Sequence, residues 1–183
     1  MSRPRKTLAI HEAGHAVAAV CLDIGFKYVT IIPGGIPGDT LESPAQGHIK
    51  LKPVPRYASD PATQDDAKSL HWWERRLIVC LAGPAAHHKL HPYAHWMGYA
   101  VGDIGEASDT INHIHHHDRR VVGAHYDYIK ARAAALVEDE WQNVEAVAAA
   151  LIERDTLTPD DVRRAMANLI PAKPEWSHRL RCI

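Results

Sequence analysis

Several common functional classes are excluded by what this 183-residue chain lacks. It has three cysteines, Cys21, Cys80 and Cys182, and they form no CxxC or other paired spacing. Cys21 and Cys80 fall in apolar helical runs and are expected to be small buried thiols, a pattern that fits a reducing cytoplasm. No GxxxxGK(S/T) phosphate loop occurs, so the chain supplies no ATPase of its own. Lys plus Arg (21) and Asp plus Glu (22) nearly cancel, leaving no basic field to draw nucleic acid. The longest apolar run, residues 77–86, is broken by Gly83 and Pro84 and is far shorter than the roughly 20 residues a bilayer span needs. The opening "MSRPRK" is basic but leads into His and Glu, so it does not read as a signal peptide. Neither a nucleic-acid nor a membrane partner is expected.

What remains is ordinary globular composition, 46% hydrophobic and 23% charged, at about the length of one domain. A helix is predicted over 4–22, closed by Gly25. The β-branched run 27–33 reads as a strand ended by Pro33, 34–46 as a Gly- and Pro-rich loop, and the alternating 47–52 as a second strand. These two strands are expected to pair antiparallel. Residues 65–90 are helical in composition, with Gly83-Pro84 expected to kink or restart the helix. A further helix is predicted over 103–117. Helical periodicity fills the last third, where Thr158, Pro159 and Asp161 form a carboxylate variant of the capping box. The fold class is therefore mainly α with a small antiparallel β-sheet (α+β). Trp72-Trp73 is expected in the core or at an interface.

The chemistry concentrates in "TLAIHEAGHAVAAVCL", residues 7–22. His11, Glu12 and His15 match H-E-x-x-H, and on a helix the two imidazoles share a face and can bind one zinc ion. Glu12 projects beside them, where it can take a proton from a bound water. A catalytic zinc needs one more protein ligand and keeps a position for water. Spacing alone does not choose that ligand among Asp39, Asp103, Asp109 and Asp118. Gly14, which costs about 1 kcal/mol against Ala in mid-helix, fits close packing of another element there.

The ordered motifs "RKTLAIHEAGHAVAAVCL", "YVTIIPGG", "QGHIKL", "GPAAHH" and "GDIGEAS", with the closing helices of 129–162, resemble the peptidase domain of the FtsH-type AAA+ zinc metalloproteases. The resemblance covers nearly the whole chain. It implies a zincin-like helical peptidase domain over 1–183: a zinc-site part (1–120), closing helices (121–169) and a tail (170–183). It also implies that His11 and His15 are zinc ligands, Glu12 the general base and Asp103 the third ligand. One Zn2+ per chain and a polypeptide substrate follow, with an extended peptide adding to the edge of strand 27–33 or strand 47–52.

Departures from that pattern shape the expectation. The family's ATPase module and membrane anchor are not seen, so activity is expected to be ATP-independent. Pro84 stands where the family has Arg, and His87-His88 replaces its acidic pair. His87 is open to three roles: a hydrogen-bonding support, a competing ligand or a surface residue. The tract "NHIHHHD" (112–118), part of a total of 14 histidines, reads as a solvated helix end rather than a second metal site. His48 is read as solvent-facing. Two rivals remain: a non-catalytic zinc-bound or metal-free scaffold, and a narrow regulatory peptidase for one protein substrate.

Overall fold

Helix α1 (Arg3–Cys21) opens the computed structural model, which describes residues 3–34, 47–58, 67–93, 100–116 and 118–167. All but the first residue of the expected loop 34–46, and the whole tail 170–183, lie outside the described residues. Alanine, the best helix former, gives α1 a small-residue surface, and Ala9, Ala13, Ala16, Val17 and Ala18 are completely buried. The helix ends one turn before Gly25. Asp23 takes a left-handed conformation (φ 53°), the Asp23 N–H donates to the Val20 carbonyl and the Ile24 N–H to the Ala19 carbonyl. That is a Schellman closure, with buried Ile24 as its apolar contact and an aspartate, one of the few side chains that tolerates this region, in glycine's usual place. Cys21, at the last turn, is exposed rather than buried, and Cys80 is half-buried.

Helix α2 (Ala67–Leu90) runs unbroken through Pro84, so of the two expected outcomes, a kink or a restart, the restart does not occur. Proline removes one helical hydrogen bond. Burial of Leu77, Val79, Leu81, Ala82 and Ala86 against the neighbouring helices holds the segment in register nonetheless. The α1–α2 crossing is intimate: a Cβ on Gly14 would lie 2.6 Å from the Ala82 carbonyl oxygen and 2.8 Å from the Ala86 Cβ. This is the close packing that Gly14 announced. Both Trp72 and Trp73 are buried, and the Trp73 indole N–H donates to the Ala58 carbonyl at 3.0 Å, so the pair belongs to the core.

Strand β1 (Phe26–Thr30) pairs antiparallel with β2 (His48–Leu51), Thr30 opposite His48 and Val29 opposite Ile49. On its other side β1 pairs antiparallel with β3 (Thr156–Leu157), a two-residue strand too short for any periodicity to reveal. With order β2-β1-β3, β1 is interior and cannot offer a free edge to a peptide. Of the two strands expected to supply that edge, only β2 is placed to do so.

Helix α3 (Val101–Ile114) precedes the closing helices α4 (Arg119–Asp139), α5 (Trp141–Arg154) and α6 (Pro159–Ala167). Ile129, Ala133, Val144, Val147 and Leu151 bury their stripe in the same core as α1 and α2. The capping box at α6 forms as expected. The Thr158 N–H donates to Asp161 Oδ2 at 2.9 Å and the Asp161 N–H to Thr158 Oγ1 at 3.3 Å. No helix among the described residues is long and apolar enough to cross a membrane.

The hydrogen bonds from Thr158, with Arg154 beside them, hold the Asp161 carboxyl below the usual carboxylate range. A depressed folded-state pKa contributes stability above the unfolded value near 4, and that stability is lost as pH falls through the folded value. Asp161→Ala is expected to lower Tm by about 2–4 °C at pH 7, the effect of losing a cap worth about 1 kcal/mol. In melts at successively lower pH, the gap to the parent chain should narrow below about pH 4.

Candidate metal centre

His11 and His15, one turn apart on α1, point the same way. Their Nε2 atoms are 3.1 Å apart and their rings meet edge to face with centroids 4.8 Å apart. Asp103, in the first turn of α3, brings Oδ2 to 3.0 Å from His11 Nε2 and 3.5 Å from His15 Nε2. The three side chains are the group of His, Cys, Asp or Glu residues, among those described, that converges as a metal site would require. A carboxylate near a helix N-terminus is favoured by the unpaired N–H groups there. The Cys80 thiol donates to the Asp103 backbone carbonyl at 3.2 Å and ties that turn to α2.

The contacts around the group orient His15 and set the charge on Asp103. The Val79 carbonyl can only accept, so the 2.8 Å contact with His15 Nδ1 places that ring's proton on Nδ1 and leaves Nε2 a lone pair in the neutral ring. Burial opposes charge on Asp103, but the two imidazoles outweigh it and hold the carboxyl well below its ordinary range, so it is an anion. Burial likewise disfavours a charged His15, yet Asp103 raises its pKa to about 9. A proton shared there does the charge balancing that a cation would do. Tetrahedral zinc with bonds of about 2.0–2.1 Å has ligand–ligand edges of about 3.3–3.4 Å. Edges of 3.0, 3.1 and 3.5 Å fit such an ion with little movement.

Facing this group, α2 contributes an absence. A Cβ on Gly83 would sit 2.6 Å from two ring carbons of His15, so only glycine leaves the slot in which the imidazole lies. The two helices meet in antiparallel rungs: His15 against Gly83, His11 beside His87 with ring centroids 6.4 Å apart, and Thr7 against His91 with Oγ1 and Nε2 3.0 Å apart.

Glu12 lies one residue round from the ligands and is 3% exposed. Its Oε2 and the His11 Nδ1 are buried without a hydrogen-bond partner among the described residues. Burial is the main force on the Glu12 carboxyl and raises its pKa, making it more basic than a free carboxylate. The residue before β2, Gly47, arches over it: a Cβ there would lie 3.0 Å from Glu12 Oε1 and 2.9 Å from the Thr30 carbonyl oxygen. The site opens into a cleft of about 1400 Å3 walled by α1, β2, the C-terminal turns of α2 and the start of α3.

The remaining histidines sort clearly. His87 is 7% exposed, which rules out the surface reading, and it stands outside the three-donor group. Burial and the neighbouring imidazoles lower its pKa, so the ring is neutral. His48 is half-buried and lines the cleft rather than facing solvent, with Nε2 2.9 Å from the Tyr28 hydroxyl. In the 112–118 tract the helix ends at Ile114, and His113 and His116 are exposed as a helix end should be. His115 instead turns onto α4, its Nε2 2.7 Å from His125 Nδ1, and His117 lies outside the described residues. Sequence reasoning missed Val79, Gly83, Gly47 and Cys80. A backbone carbonyl leaves no signature, but the glycine beside a mid-helix proline was a visible signal.

The arrangement defines a candidate centre of two histidines and an aspartate that could hold a divalent metal, with a buried carboxylate alongside. No protein-family model matches the chain. It is 28% identical, over 216 aligned positions, to the ATP-dependent zinc metalloprotease FtsH of Thermus thermophilus. That alignment covers 94% of this chain and 31% of the relative, so the chain spans about a third of that protein's length. The relationship to this metalloprotease is a distant one.

Glycine to alanine in a helix ordinarily stabilises by about 1 kcal/mol. Gly83→Ala is expected to do the reverse, lowering stability by about 1–3 kcal/mol through overpacking and weakening divalent-metal binding at least tenfold. Thermal melts and metal titration check both, and a stabilised variant with unchanged metal affinity would contradict the slot.

Proposed function

We propose that the chain is a zinc-dependent metalloendopeptidase that hydrolyses flexible or unfolded polypeptides without ATP. The observation that carries this reading is Glu12: a buried carboxylate with a raised pKa and one unpartnered oxygen, set beside three convergent donors. A buried acceptor left unsatisfied costs about 1–3 kcal/mol, and a scaffold would gain nothing from it. The distant likeness to a zinc metalloprotease supports the same choice of metal and reaction.

His11 and His15 through Nε2, with Asp103 through Oδ2, are the residues that would hold zinc. When bound, zinc supplies Lewis-acid polarisation of the scissile carbonyl and lowers the pKa of an attacking water. Glu12 takes that water's proton on its carboxylate and later delivers it to the nitrogen of the leaving amine. Val79 keeps the His15 ring oriented, and Gly47 holds the strand close over Glu12, limiting its wandering. An extended peptide adds alongside β2, an edge strand of the described sheet, through backbone hydrogen bonds that make little demand on side-chain identity. The cleft is roomy enough for such a chain but not for a folded domain, hence a flexible substrate.

Incubation of the purified chain with unfolded casein, with and without chelator and with and without ATP, tests the reading. Cleavage is expected in the zinc-loaded parent, unaffected by ATP and abolished by chelation. Glu12→Gln should lose at least about 100-fold in kcat while keeping its metal, the scale of general-base catalysis. Fully zinc-loaded protein that cuts neither casein nor a diverse peptide library would sink the proposal in favour of the scaffold.

A further inference from the structure

One set of cleft residues has no part in the chemistry above: the imidazoles of His87 and His91 on the last two turns of α2. They stand at i and i+4, the spacing that makes His11 and His15 a chelating pair on α1. Their geometry repeats as well. The rings of His11 and His15 are 4.8 Å apart at 77°, and those of His87 and His91 are 5.4 Å apart at 77°. Two imidazoles sharing a tetrahedral ion have ring centres about 5 Å apart, so both pairs are spaced to share one. Both rings line the cleft, and Thr7 Oγ1 lies 3.0 Å from His91 Nε2, adding a hydroxyl oxygen to the same corner.

We propose that His87 and His91, with Thr7 alongside, form a second divalent-cation site in the cleft, one rung along from His11, His15 and Asp103. Imidazole nitrogens select borderline cations such as Zn2+, Co2+, Ni2+ and Cu2+ over Mg2+ and Ca2+, which prefer oxygen. With two nitrogen ligands and no carboxylate among the described residues, this site is the weaker of the two and fills second. Its ion completes its coordination with water from the open cleft. On the peptidase reading, that ion stands where substrate must pass, so excess zinc inhibits. Counting metal needs no activity, so the site can be tested even if that reading fails.

The test uses the full chain, stripped with chelator and dialysed against Zn2+ or Co2+, with bound metal measured by mass spectrometry. Two ions per chain are expected for the parent, and one each for His87→Ala/His91→Ala and His11→Ala/His15→Ala. None should remain when all four are changed, with circular dichroism confirming folding. Mg2+ in excess should not displace the second ion. A parent that binds a single ion overturns the proposal. So does a second ion that survives loss of His87 and His91 but leaves in His115→Ala/His125→Ala. A measurement on the unaltered protein avoids any folding defect: the second equivalent of Zn2+ should slow carbethoxylation of His87 and His91 at least tenfold. Equal rates with one and two equivalents would refute the site.

Discussion

The contact of α1 on α2 is the constraint on which the site rests. At Gly14 and Ala82 the two helices approach until backbone nearly touches backbone, and one residue along, the imidazole of His15 fills the space beside Gly83. The Val79 carbonyl then accepts the His15 Nδ1 proton and aims the opposite nitrogen at His11 and Asp103. Two mid-helix glycines and an internal proline weaken helical propensity, at about 1 kcal/mol for each glycine and more for the proline. The buried alanine-rich surface of α1 and the apolar face of α2 offset that cost. The local departures from good helix sequence lie where function needs close approach, as expected of a site that trades stability for geometry.

Charge in this core is balanced around a small volume. Asp103 holds its proton off because two imidazoles face it, and His15 holds its proton because Asp103 faces it. Glu12 has no comparable partner on Oε2, and burial leaves it basic. A divalent ion between the ligands would replace the shared proton and draw the same carboxylate, so protein and metal-bound states ask for one arrangement of side chains. The sheet serves the site from the other wall. β1 is locked between β2 and β3, which puts β2 at the edge of the described sheet, and the glycine preceding it lets the strand approach Glu12.

Much of this is legible in the sequence, because helices and caps are local. The spacing His11 to His15 is one turn, and the reciprocal bonds of Thr158 and Asp161 span three residues, so geometry within a single helix determined both. The antiparallel pairing of two β-branched runs across a loop followed from short-range pattern too. Less came through where side-chain chemistry had competing outcomes. Asp23 rather than Gly25 closes α1, and α2 passes through Pro84 without restarting, because packing decided between conformations that local propensity left close in energy. Cys21 is exposed because it lies at the helix end, although the run around it is apolar.

By its residues alone, the chain determined a helix with two histidines on one face, a carboxylate beside them, a mainly helical frame and a small sheet. Tertiary structure decided which partners complete that face. Asp103 reaches His11 across 92 positions and the Val79 carbonyl reaches His15 across 64, distances over which no periodicity carries information. The roles of Gly83 and Gly47 are defined by what lies against them, His15 in one case and Glu12 in the other. A glycine states that space is needed, and only the packed neighbour says for what.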